Sequence, residues 1–141
     1  MTGPAPPHPT CRPRHTLDVA GGRPYPGRVP ILDPDGMIHA EPLPGWSGRF
    51  FHSQHMTFAH YDLAADATPL HTHHHEQEEV WTIVEGRLAI TIDGEETELA
   101  AGDVAIVPPD TPHSVRVLSA CRAIITDHPR REQIPGLHAR T

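Results

Sequence analysis

The sequence predicts an all-β domain, either a sandwich or a barrel, and two observations support this fold class. Short runs rich in β-branched and aromatic residues follow one another at close spacing from about residue 56 to 126. No segment shows a convincing apolar period of 3.6 residues, so amphipathic helices are not expected. The length of 141 residues and the 37% apolar fraction fit one domain with one core.

The elements are expected in a fixed order along the chain. The motif Asp93-Gly94 between two short runs predicts a tight hairpin, Gly102-Asp103 predicts a second turn, and the proline-rich stretch 108–112 predicts a corner. The strands are predicted over residues 56–63, 80–84, 88–92, 95–99, 104–107, 113–117 and 122–126.

Three regions are predicted from composition. Residues 1–45 hold much of the proline and are expected to form an extended or disordered arm, because proline fixes φ and lacks a backbone donor. This arm can cross onto a partner subunit. Residues 46–128 are expected to form the barrel, and residues 129–141 a polar tail on the surface or in a short helix.

Charge and composition exclude several classes of function. The formal net charge of −7 without a basic run argues against nucleic acid or an anionic membrane as a partner. The chain has no lysine, so Schiff-base chemistry and a phosphate-binding P-loop are excluded. There is no apolar stretch that would span a bilayer and no secretory signal, so we expect a cytoplasmic protein in which Cys11 and Cys121 are free thiols.

A histidine-rich stretch carries the chemistry. Successive side chains of a strand alternate between its faces, so His73 and His75 are expected to point the same way and His74 the opposite way. Imidazole is the commonest protein ligand of metals. Glu79 at the start of the next strand and His113 on a third strand can complete the site, which only non-local folding brings together.

The spacing of these residues resembles the two sequence motifs of the cupin superfamily. The first motif, G-x5-H-x-H-x3/4-E-x6-G, is matched by His73, His75, Glu79 and Gly86. The second motif, G-x5-P-x-G-x2-H-x3-N, is matched by Gly102, Pro108 and His113. The resemblance covers roughly residues 50–127, and the fifteen residues between the motifs fit the short spacing of small bacterial cupins.

The chain departs from these motifs at three positions, and one alternative remains open. Ala67 and Asp110 stand where the motifs have glycine, and Val117 replaces the final asparagine. Asp110 tolerates turn conformations, and none of the three changes removes a metal donor. In the alternative alignment, His71 and His73 form the histidine pair, with Glu78 at the four-residue spacing.

The resemblance implies a double-stranded β-helix, a jelly-roll barrel, that holds one divalent transition metal such as Zn, Fe, Mn or Ni. It also implies ligation by three histidines and one glutamate, His73, His75, His113 and Glu79, with open positions for a substrate. The mixed nitrogen and oxygen donors without thiolate argue against a closed structural zinc site. A homodimer is expected from the habit of the family.

Two classes of function follow. The first is a metal-dependent enzyme that acts on a small aromatic or carbonyl-containing substrate, either by redox-neutral cyclisation or isomerisation or by oxygen-dependent cleavage. The redox-neutral chemistry resembles that of the cupin-type polyketide cyclases, and a composition typical of GC-rich genomes is compatible with secondary metabolism. The second class is a non-catalytic, ligand-binding or regulatory cupin with a structural metal.

Other residues are candidates for roles around the metal. His60 is a candidate to approach the metal or to transfer protons, and Glu78 is a second candidate proton shuttle. Alternation from Glu79 and His113 predicts an apolar lining suited to a ring or an acyl chain. The residues expected to line this substrate pocket are Phe58, Trp81, Ile83 and Val115.

Overall fold

The computed structural model describes residues 31–132 and confirms the all-β class. After a 3-10 turn at Pro34–Gly36, ten strands follow in the chain. They are β1 Ile38–Ala40, β2 Trp46–His52, β3 Thr57–Leu63, β4 Leu70–His73, β5 Glu78–Glu85, β6 Arg87–Ile92, β7 Glu95–Ala100, β8 Val104–Val107, β9 His113–Val117 and β10 Cys121–His128.

The strands form two antiparallel sheets that face each other. The larger sheet has the order β1-β2-β3-β10-β5-β8, and the smaller one has the order β4-β9-β6-β7. Alternate residues of β5 and β10 are buried, as expected for strands with one face against a core. The core between the sheets includes Trp46, Phe50, Trp81, Ile83, Leu88, Ile90, Val107 and Ile125.

The predicted turns occupy the conformations that their residues favour. Asp93 and Gly94 both have positive φ angles of 49° and 83°, which allow a two-residue hairpin between β6 and β7. Asp110 has a φ of 56° at the corner before β9. This positive φ explains why the family motif has glycine at the position of Asp110.

The sheet begins earlier in the chain than the sequence indicated. Strand β1 lies within the segment 1–45 and pairs with β2, with Ile38 opposite Phe50. Strand β4 ends at His73, so His75 lies in the loop beyond it rather than on the same strand. Residues 1–30, which include Cys11, and residues 133–141 lie outside the described part of the chain.

Candidate metal centre

Three imidazoles converge at the end of the smaller sheet. His73 closes β4 and lies opposite His113, the first residue of β9, in the strand pairing. Their ring centroids are 4.3 Å apart, and the ring of His75 lies 5.1 Å from that of His113. One ring nitrogen from each of the three residues lies within 4.8 Å of the other two. Residues far apart in sequence therefore present three nitrogen donors to one point.

Backbone carbonyls orient two of these rings. The Nδ1 of His73 lies 3.0 Å from the carbonyl oxygen of His71, and the Nδ1 of His113 lies 2.9 Å from that of Thr111. A carbonyl oxygen only accepts, so each Nδ1 must carry the proton and donate it. Each Nε2 then keeps its lone pair in the neutral ring, which is the arrangement found behind metal-binding histidines.

The loop that carries His75 is tied to the corner before His113. The backbone N–H of Asp110 donates to the carbonyl oxygen of His75 over 2.7 Å. The two segments that correspond to the first and second sequence motifs are thus joined by a hydrogen bond. The spacing between the ligand candidates is fixed by backbone contacts rather than by the side chains alone.

Glu79 lies beside the three histidines on β5 and is only 4% exposed. Its Oε2 accepts from the Nε2 of His75 over 2.8 Å, and its Oε1 accepts from the indole of Trp81 and lies 3.6 Å from the Nε2 of His113. Burial alone would raise the pKa of Glu79, but the neighbouring His113 and His75 lower it overall. Glu79 is therefore an ionised carboxylate, the form that binds a cation.

The pKa values of His73 and His113 are shifted in opposite directions. Burial lowers the pKa of His73, which favours the neutral ring. Burial would also lower the pKa of His113, but Glu79 and the Thr111 carbonyl raise it overall. Because a metal competes with protons for its ligands, cation binding requires the neutral form of His113.

The structure adds an acidic residue that sequence reasoning missed. Asp127 on β10 lies directly opposite Glu79 in the strand pairing and is also 4% exposed. Burial, followed by the charge of Glu79, raises the pKa of Asp127 to about 8. The nearby positive charges of Arg131 and His113 partly offset this shift, and Nη1 of Arg131 lies 3.7 Å from Oδ2 of Asp127. The sequence patterns gave no signal for Asp127 or Arg131, because both follow the second motif.

The buried polar atoms that lack a hydrogen-bond partner lie at this site. In the described part of the chain, three buried side-chain atoms have no hydrogen-bond partner: Nδ1 of His75, Nε2 of His113 and Oδ1 of Asp127. Buried polar atoms without a partner are rare and call for an explanation. All three atoms can carry lone pairs, so the cluster fits a cation, and its nitrogen and oxygen donors suit most divalent first-row metals.

The cluster opens through His73 and Glu79 onto a cavity of about 300 Å³ between the two sheets. The wall of the cavity is mainly apolar and includes four aromatic side chains, Trp46, Phe50, Tyr61 and Trp81. Its polar lining includes His71, His73, Glu79, Asp127 and Arg131. A metal held by the histidines and Glu79 would therefore face a partly open, largely apolar space that a substrate could enter, as a catalytic site requires and a closed structural site does not.

The structure corrects the expectations for His60 and Phe58. The inward residues of β3 are Thr57, Ala59 and Tyr61, so alternation turns Phe58 and His60 to the outer face of the sheet. There, Phe58 stacks on Phe51 with ring centroids 4.9 Å apart, and His60 packs edge-on against the same ring. Neither residue lines the cavity.

The position of each remaining predicted residue on its strand determines whether it lines the cavity. Glu78 is exposed because it precedes the inward-facing Glu79, so its expected role as a proton shuttle is not supported. Ile83 and Val115 lie in the core rather than along this cavity, whereas Trp81 lines it. His71 lines the cavity, but its ring lies 6.0 Å from that of His73 and it is not one of the three grouped histidines.

Comparison with known proteins identifies the family. Residues 59–127 match the Cupin domain family. Over 71 residues, the chain is 35% identical to an uncharacterized protein of Streptomyces coelicolor, covering 50% of this chain and 67% of the relative. It is also 44% identical over 54 residues to quercetin 2,3-dioxygenase of Bacillus subtilis, which is 38% of this chain but only 16% of the dioxygenase.

A solved structure shows the same fold. The crystal structure of an RmlC-like cupin from Shewanella frigidimarina superimposes with a TM-score of 0.63 and 23% identity, covering 70% of this chain and 88% of that protein. The chain belongs to the cupin superfamily, and it is a small member with a double-stranded β-helix.

Within residues 31–132, no helix has both the length and the apolar character needed to cross a membrane.

Proposed function

We propose that this cupin is a metal-dependent enzyme that acts on a small aromatic or carbonyl-containing metabolite. The observation that carries the proposal is the opening of the histidine cluster onto the aromatic cavity, because substrate and cation would meet there. His73, His75, His113 and Glu79 would hold one divalent transition metal. When bound, this metal would act as a Lewis acid on a substrate oxygen or support oxygen chemistry.

The protein's own side chains would bind and orient the substrate. The indoles of Trp46 and Trp81 present apolar surface to a ring, and both are almost fully buried. The mainly apolar lining would strengthen electrostatic interactions at the inner end of a bound molecule. The Trp81 N–H donates to Glu79, so the same side chain forms part of the wall and fixes a ligand of the metal.

Two reaction types are compatible with this site. One is redox-neutral cyclisation or isomerisation, which would place the protein beside the polyketide cyclases in secondary metabolism. The other is oxygen-dependent cleavage, and the partial similarity to quercetin 2,3-dioxygenase favours testing it. Because one fold supports many chemistries, the metal and the substrate must decide between the two.

The test combines metal analysis with turnover. Freshly purified protein is expected to contain about one divalent transition metal per chain by elemental analysis. Chelation should abolish the conversion of phenolic or 1,3-dicarbonyl test compounds, and one preferred metal should restore it. Oxygen uptake during conversion would assign cleavage, and conversion without uptake would assign the redox-neutral reaction. Unchanged ligand binding without turnover, with and without metal, would instead support a non-catalytic binding protein.

A further inference from the structure

The polar lining of the cavity contains two groups that are not among the four predicted metal ligands. Asp127 and Arg131 both line the cavity. Oδ1 of Asp127 has no hydrogen-bond partner within residues 31–132, and Oδ2 lies 3.7 Å from Nη1 of Arg131, beyond hydrogen-bond distance. The guanidinium of Arg131 makes no side-chain hydrogen bond within that same range.

The backbone holds this pair in place although the side chains are not bonded to each other. The backbone N–H of Arg131 donates to Oγ1 of Thr57 over 2.9 Å, and the same oxygen lies 2.8 Å from Nδ1 of His52. Thr57 is 1% exposed and belongs to the large sheet. The residue that carries the guanidinium is therefore fixed to the wall of the cavity before any ligand binds, which reduces the cost of ordering it.

The strand pairing makes the position of Asp127 costly without a further partner. Asp127 lies directly opposite Glu79 on one face of the sheet, and Glu79 already accepts from His75 and Trp81. Burial of a carboxylate with unfilled acceptor capacity is unfavourable unless something donates to it. Oδ1 of Asp127 is therefore open to a donor from a bound molecule.

We infer that Asp127 and Arg131 form the binding site for the polar end of the substrate. Asp127 forms a hydrogen bond with a substrate hydroxyl, and Arg131 donates to a neighbouring carboxylate or carbonyl oxygen. The apolar body of the substrate lies against Trp46 and Trp81. The substrate class is thus a planar, conjugated ring system that carries a hydroxyl next to an acidic or carbonyl oxygen. This inference rests on the proposed function and specifies its substrate.

The test measures probe selectivity by titration calorimetry of the metal-loaded protein. The probes are 3-hydroxy-2-naphthoate, 2-naphthoate, which lacks the hydroxyl, and 2-naphthol, which lacks the carboxylate. Arg131→Met should weaken the two carboxylates roughly tenfold or more relative to 2-naphthol. Asp127→Ala should reduce the preference for 3-hydroxy-2-naphthoate over 2-naphthoate by a similar factor. Because each ratio is compared between variant and wild type, a contribution from chelation of the metal by the probe that is the same in both proteins cancels.

Matched controls separate this effect from general changes in charge. Arg116→Met and Asp62→Ala each remove a charge from an exposed ion pair, and both should leave the selectivity ratios within about twofold of wild type. Unchanged ratios in both Arg131→Met and Asp127→Ala would overturn the inference. Because Arg131 is partly exposed at the edge of the core, its variant serves the test even if Asp127→Ala does not fold.

The same titrations in chelator-treated protein distinguish the two proposals. If the wild-type protein binds no metal and turns over nothing, the proposed function fails, whereas altered ratios in the variants would still support the polar pair. If metal binding and turnover are present but the ratios do not change, only the inference about Asp127 and Arg131 fails.

Discussion

At the scale of single residues, His113 has the most demanding position in the cluster. Its ring is 1% exposed, its Nδ1 donates to a backbone carbonyl, and its Nε2 has no partner among the described residues. Removing this ring would delete one of three nitrogen donors without touching the sheet hydrogen bonds. We expect His113→Ala to lower metal affinity by more than the roughly 10- to 100-fold that loss of an outer-shell partner costs.

The measurement is metal content after dialysis, with far-ultraviolet circular dichroism to confirm that the β structure remains. His75→Ala should behave like His113→Ala. His74→Ala is the matched control, because His74 is an exposed neighbour outside the histidine cluster and its variant should keep full occupancy. Full occupancy in both His75→Ala and His113→Ala would refute the assigned ligands.

Asp127 is expected to make the stability of the chelator-treated protein depend on pH. Burial and Glu79 raise its folded-state pKa to about 8, above its usual unfolded value near 4. The folded protein then binds more protons than the unfolded chain between those values, so stability falls as the pH rises from about 4 to 8. Asp127→Asn should flatten this part of the profile. Denaturant unfolding at several pH values checks it, and equal slopes in wild type and variant would contradict it.

At the scale of elements, the connection between β5 and β6 depends on a glycine. Gly86 has a φ of 77°, and a Cβ added there would lie 2.0 Å from the carbonyl oxygen of Ala120. Gly94 has a similar φ of 83° but open space around it. Gly94→Ala should therefore cost only the backbone strain of about 1–2 kcal/mol.

Gly86→Ala adds a clash with backbone to the same strain, so we expect it to be less stable than Gly94→Ala by at least about 1–3 kcal/mol. Chemical denaturation of the two variants measures the difference directly. Equal losses of stability would show that the contact with Ala120 relaxes freely.

The strands show which parts of the site the sequence was able to predict. The predicted strand at 113–117 has the bounds of β9, and the predicted turns at Asp93-Gly94 and Gly102 are present, because turn residues mark local geometry directly. Which face of β3 is buried could not be predicted in the same way. Phe58, His60 and Tyr61 place aromatic rings on both faces, so polarity does not reveal which face is buried.

Short strands and late residues were missed for different reasons. Strands β1 and β4 have three and four residues, and pairing with neighbours rather than local sequence determines them. Asp127 and Arg131 reach the cavity only because β10 lies between β3 and β5 in the sheet. The position of β10 between these two strands is set by the sheet topology, and it cannot be predicted from the spacing of residues within one segment of the chain.

At the scale of the whole molecule, the outer face of the large sheet suggests how two copies would meet. Val84 on β5 and Val104 and Ile106 on the edge strand β8 are 42%, 55% and 59% exposed. Exposed apolar side chains grouped on one sheet favour association. We propose a homodimer through this face.

A charge placed in this face should prevent the association. Ile106→Glu is expected to convert the dimer to a monomer in light scattering coupled to size-exclusion chromatography, because a buried carboxylate without a partner is unfavourable. Arg116→Met, on the other sheet, serves as the control and should leave the mass unchanged. A monomeric wild type, or a dimer that persists in Ile106→Glu, would contradict the proposal.

The central claim is that donors from distant parts of the sequence bind one cation inside the barrel. Anomalous diffraction at the absorption edge of the bound metal, from crystals grown with that metal, tests this claim most directly. We predict one strong peak about 2.0–2.3 Å from a nitrogen of each of His73, His75 and His113 and from an oxygen of Glu79. A peak held instead by His71 or His74 at the surface, or no peak in the barrel, would contradict it.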